Sequence, residues 1–148
     1  GGLLADYLGK KDKRNYAWLT AGVKLFILPV AVAFYLATDL KIAIGLFTLT
    51  AFFGGFYLSV SFAMTQSLLP GPSRALGAAL LLFCINIIGL GLGPQLVGIL
   101  SDYLLPTYGV DGLRYALVSV VVVNLWGAAH YILAARTLRE DLEANSDA

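Results

Sequence analysis

The side chains able to do chemistry are few in this 148-residue sequence, and most of them stand at its ends. One histidine, one cysteine and nine acidic residues are present. No nucleophile with a base, and no metal-ligating set, assembles from them. His130 has no second histidine to pair with and reads as an interfacial or packing residue, while Cys84 stands alone in an apolar run. The expectation is a protein that is not an enzyme and holds no cofactor or metal. The polar groups inside the apolar runs are of another kind. Lys24 is the one cation there; Thr50, Tyr57 and Ser61 form one helical stripe, and Thr48, Gly55 and Ser59 a second. Asn86 and Gln95 complete the set. No acid lies in mid-run, where a proton relay would normally show one.

Each of these has a plain reading beside a functional one. A lysine two turns inside a span can carry its charge to the headgroups on its long stem, which is the expectation for Lys24. Hydroxyl stripes usually bond between helices. Asn86 and Gln95 are nine positions apart, about 180° at about 100° per residue, so one cavity can face only one of them unless Pro94 bends the helix between. Gly89, Gly91, Gly93, Pro94 and Gly98 crowd the same stretch. They offer either a small-residue groove for close helix contact with a fixed kink or a segment that flexes during a conformational cycle.

These residues must be positioned by elements that live in a bilayer. Hydrophobic residues make up 59% of the chain and charged ones 13%, against about 45–50% and about 25% in soluble domains. Mean hydropathy is +0.80. Twelve of the nineteen charges fall in residues 1–14 and 136–148. Four runs have the roughly 20 apolar residues that a core of about 30 Å requires. They lie at about 16–37, 42–66, 74–103 and 114–136, separated by Thr38–Lys41, Pro70–Ser73 and Pro106–Gly112. Residues 1–15 and 137–148 flank them as a polar loop and tail. Lipid demands internally satisfied backbone, so the predicted fold is all-α and polytopic.

With four crossings both ends share one side. That side carries Lys10, Lys11, Lys13, Arg14, Arg74, Arg136 and Arg139, and the other carries Lys41 and Arg114. The positive-inside rule then places both ends in the cytoplasm. Ser73 is expected to cap the helix that follows it. A net charge of +1 predicts no nucleic-acid partner. The chain opens without Met or a signal peptide and is expected to be a piece of a longer one.

Gly2-Leu3-Leu4-Ala5-Asp6-Tyr7-Leu8-Gly9-Lys10-Lys11 resembles the loop signature Gly-x-x-x-Asp-Arg-x-Gly-Arg-Arg of the major facilitator superfamily, with Tyr7 in the place of the usual Arg. Gly89 through Gly98 is similar to that superfamily's Gly-x-x-x-Gly-Pro pattern. The run from Gln66 to Ala79, then Asn86–Pro94, Leu100-Ser101-Asp102 and Gly112–Leu117, looks like bacterial spinster-like transporters.

The resemblance implies four helices, 9–12, of a twelve-helix facilitator fold in the bacterial inner membrane. It implies alternating access, proton coupling and a lysolipid-like or amphiphilic organic cargo. The missing N-terminal half and the lipid bilayer would be its partners. Gly2, Asp6, Gly9, Lys10, Lys11, Gly89, Gly93 and Pro94 become conformational residues, and Tyr57, Ser61 and Asn86 cavity residues, because helices 10 and 11 line the cavity in that superfamily. Lys24, on outer helix 9, is pushed further toward the headgroups. Alternatives are an organic-anion or sugar-acid symporter of the same fold, or a free-standing four-span protein.

Overall fold

Helix follows helix wherever the apolar runs allow it, and glycine, proline and aspartate decide where one ends. The computed structural model describes residues 12 and 14–146. The loop residues Gly2, Asp6, Gly9, Lys10 and Lys11 lie outside the described residues.

Helix α1 (Arg14–Leu36) begins where the Asp12 carboxylate accepts a hydrogen bond from the Arg14 backbone N–H at 2.9 Å. The next start is capped the same way: Asp39 accepts from the N–H groups of Lys41 and Ile42 at 2.8 and 3.0 Å, satisfying donors that an opening helix leaves free. The second span is α2 (Leu40–Gly54) followed by α3 (Phe56–Ser67), broken where Gly54 and Gly55, poor helix formers, stand together.

A short 3-10 turn (Gly71–Ser73) leads into α4 (Arg74–Cys84). Here the structure corrects an expectation, because the Ser73 side chain makes no capping bond. The turn is closed by backbone instead, from Ser73 N–H to the Pro70 carbonyl at 2.9 Å, and the Arg74 Nε adds a bond to the Leu69 carbonyl at 3.1 Å. A π-wound segment (Ile85–Leu92) joins α4 to α5 (Gly93–Tyr108). After a second 3-10 turn (Gly109–Asp111) come α6 (Gly112–Val121) and α7 (Val123–Ser146). No strand occurs among the described residues.

Among the described residues three stretches are long and apolar enough to cross a membrane: Arg14–Leu36, Leu40–Ser67 and Gly71–Leu138. The last has 68 residues, about 100 Å if straight at 1.5 Å per residue, and it doubles back. Gly109 takes φ +56, a left-handed value that suits glycine. Across this reversal α5 and α6 lie side by side. Gly112 permits the approach: a Cβ there would stand 3.1 Å from the Ser101 carbonyl oxygen and 3.2 Å from the Leu105 nitrogen.

The packing is uneven. Helix α1 lies along α7 and also touches α2, α3 and α6. Small residues fill that seam, with Ala17, Ala21 and Ala31 buried on α1 and Ala128 and Ala135 on α7, as expected where lipid gives helices no hydrophobic reason to associate and close backbone approach must do it. Ala17, Val60, Met64, Ala135 and Leu138 form the core cluster. The third span joins this bundle through α4 on α3 and α5 on α6, and none of its residues from Arg74 to Tyr108 is buried.

Candidate functional site

The buried stripe of α1 runs Ala17, Thr20, Ala21, Ile27, Ala31. Lys24 is in phase with it, so its side chain enters the bundle. Its ammonium lies 4.7 Å from the centre of the Tyr57 ring and 5.9 Å from that of Tyr131. Its stem crosses α7 at Gly127, where a Cβ would meet the Lys24 Nζ at 3.6 Å. Ring faces carry negative quadrupole charge and attract a cation within about 6 Å. Lys24 is therefore caged by two tyrosines from two other spans, contrary to the expectation that it reaches along its own helix toward the headgroups. Among the described residues no carboxylate pairs with it; Arg114 pairs instead with Asp111, at 3.4 Å, far along the chain.

Ser61 completes the cluster. Its hydroxyl donates to the Tyr57 carbonyl at 2.7 Å and shares a short hydrogen bond with the Tyr131 hydroxyl. The structure thus brings Tyr57 and Ser61 together and adds Lys24 and Tyr131. Tyr131 carried no flag in the sequence reading. The available signal was phase: Lys24 shares a face with Ala17, Ala21 and Ala31, and Tyr131 lies between the buried Ala128 and Ala135. The other stripe hydroxyls turn back on their own helix. Thr48 bonds the Ile44 carbonyl and Thr50 the Leu46 carbonyl, each at 2.8 Å, and Ser59 the Gly55 carbonyl at 3.4 Å. His130 does likewise, with its Nδ1 2.8 Å from the Trp126 carbonyl oxygen.

Asn86 stands apart from this cluster. It is exposed, and its Nδ2 donates to the Leu82 carbonyl at 2.7 Å within its own span. The stretch around it is π-wound, and Pro94 supplies a reason. An α-helix would need the Pro94 nitrogen to donate to Leu90, and proline has no proton to give while its ring crowds that carbonyl. The widened winding carries the chain past this point, with the Gly93 N–H bonding the Ile88 carbonyl five residues back. A Cβ at Gly89 or Gly98 would meet nothing within 4 Å, so within this chain these glycines form no contact groove.

Along 142 residues, or 95% of the chain, the sequence is 34% identical to a protein from Mycolicibacterium smegmatis named "MFS-type efflux pump". The chain spans about a third of that relative's length, 33%. No protein-family model matches the chain. No solved structure matches it either. Apolar helical stretches long enough to cross a membrane, in a chain similar along nearly all of its length to part of a protein named as a facilitator pump, mark an integral membrane chain that resembles a major facilitator protein.

Proposed function

We propose that the whole protein is a secondary transporter working by alternating access, to which this chain contributes the last four of twelve helices, with both of its ends in the cytoplasm of a bacterial inner membrane. The observation that carries the reading is the contrast between a packed seam and a third span none of whose residues is buried, with the polar Asn86 at its middle. A facilitator protein holds cargo at the bilayer midplane between two halves, on broken or irregular helices. The π-wound span has that character, and it is the surface against which the other half would close.

The cargo is amphiphilic and lysolipid-like in this proposal, in keeping with the resemblance to spinster-like transporters, and moves in exchange with protons. The relative's name describes an efflux pump, and export is the direction proposed here. The residue that holds and releases cargo is Asn86; Tyr57 and Ser61, the other two polar candidates, face Lys24 and Tyr131 in the packed seam and are left out of the cargo site. Gly89, Gly93 and Pro94 form the segment that changes shape, and Gly2, Asp6, Gly9, Lys10 and Lys11 form the cytoplasmic loop that closes against the partner half.

The test uses the complete protein in vesicles with an imposed pH gradient and a fluorescent lysolipid as cargo. Asn86→Leu is expected to lower transport several-fold, roughly the loss of one hydrogen bond at about 1 kcal/mol, with the amount of protein in the vesicles unchanged. Transport at the unsubstituted rate would remove Asn86 from the site.

A further inference from the structure

In an α-helix Asn86 and Gln95 would face opposite ways, but the winding observed between them is not α. A π-helix closes its hydrogen bonds at i→i+5 and carries about 4.4 residues per turn against 3.6, so each step turns about 80° in place of about 100°. Taken across the π-wound segment, the nine steps from Asn86 to Gln95 leave the two side chains about 60° apart, where ideal α winding leaves about 180°. Both are exposed, and among the described residues the Gln95 carboxamide has no hydrogen-bond partner. The same winding sends Ile88, two positions past Asn86 and 63% exposed, to the far side of the helix from Asn86.

We propose that Gln95 is a second cargo-contacting residue, brought onto the Asn86 face by the π-wound turn ahead of Pro94. The inference rests on the reading of Asn86 as a cavity residue. Asn86 has one amide proton engaged by Leu82; its carbonyl oxygen and second proton are open to cargo, and Gln95 offers a further oxygen and two protons about two turns away. A carboxamide on the lipid side would gain nothing there, since lipid tails accept and donate no hydrogen bonds.

The experiment compares single-cysteine forms of the complete protein, with Cys84→Ser and every other cysteine replaced. Asn86→Cys, Gln95→Cys and Ile88→Cys are treated in vesicles with a charged, water-soluble methanethiosulfonate. Gln95→Cys is expected to react at a rate close to that of Asn86→Cys, and Ile88→Cys at least roughly tenfold more slowly, because the reacting thiolate forms in water and not in lipid. Under α winding Gln95 falls on the Ile88 face, so reaction of Gln95→Cys at the slow Ile88→Cys rate would overturn the inference and leave the role of Asn86 standing. Slow reaction at both Asn86→Cys and Gln95→Cys, with Ile88→Cys fast, would overturn the cavity reading and with it the cargo role of Gln95, while still pairing the two residues on one face.

Discussion

The seam between the first and last spans and the middle of the third span are built from the same small residues and put them to opposite uses. On α1 and α7 alanines are buried, with 0% of the surface of Ala17 and 1% of that of Ala135 exposed, and the helices meet along their length. On the third span the glycines at 89 and 98 have open space where a side chain would be. A small residue thus means close packing in one place and an uncovered backbone in the other. What separates the two is regularity: the seam is α-wound throughout, whereas Pro94 and the glycines before it give the third span a wide, less favourable winding. The bundle has a regular, closely packed side and an irregularly wound, exposed one.

The largest break in that comparison should come from filling the seam. Ala17→Leu forces new atoms into the cluster of Val60, Met64, Ala135 and Leu138, and overpacking of this kind costs about 1–3 kcal/mol. A lower melting temperature of the purified complete protein and less of it in the membrane are expected. Wild-type melting would mean that α1 and α7 are not held together as described.

Next is the α5–α6 reversal. Gly112→Ala places a Cβ 3.1 and 3.2 Å from backbone atoms of Ser101 and Leu105, which cannot swing aside as a side-chain tip can. The two helices must part by a few tenths of an ångström, with an expected loss of about 1 kcal/mol from disturbed packing. Melting of Gly112→Ala beside Gly98→Ala checks this, since the second substitution meets nothing.

Within the seam, the hydroxyl pair of Ser61 and Tyr131 should contribute about 1 kcal/mol. Tyr131→Phe keeps the ring that faces Lys24 and removes only the hydroxyl, and Ser61→Ala removes the other partner. In combination the two should cost little more than either alone, because the bond is lost only once. Additive losses in melting experiments would show that the two hydroxyls act separately.

How much of this was written in the sequence differs between the same two regions. Apolar run length, the Thr38–Lys41 break and the proline–glycine turns are local signals, and they announced helices and breaks without knowledge of any neighbour. The open third span was foreshadowed too, since Gly89, Gly93 and Pro94 break helix rules wherever they stand. The cage around Lys24 was not legible as a contact, because it joins positions 24, 57 and 131 and no local pattern encodes that distance in the chain. Its phase with the alanines was visible and outweighed by the general habit of lysines to reach for headgroups. The π winding was missed for a different reason: proline announces that an α-helical bond is lost, and the tertiary setting decides between a kink and a widened turn. Tyr57 and Ser61 were marked by polarity as candidates for a cavity; the structure puts them beside Lys24, and Asn86 on a separate span.

The smallest effect on stability, and the sharpest test of the contrast, belongs to the third-span glycines. Gly89→Ala and Gly98→Ala add a methyl group where none meets a neighbour. Alanine favours helix over glycine by roughly 1 kcal/mol where the backbone is α-helical. At Gly98, inside α5, that preference should hold or slightly raise the melting temperature. At Gly89, inside the π-wound segment, it favours an α winding that Pro94 opposes, so the gain should be smaller or absent. Transport should respond in the reverse order, with Gly89→Ala slowing the lysolipid assay more than Gly98→Ala while both proteins melt normally. If Gly98→Ala destabilises the complete protein as much as Gly112→Ala does, the third span is covered by a tightly packed neighbour from the other half, and the two small-residue surfaces serve the same purpose after all.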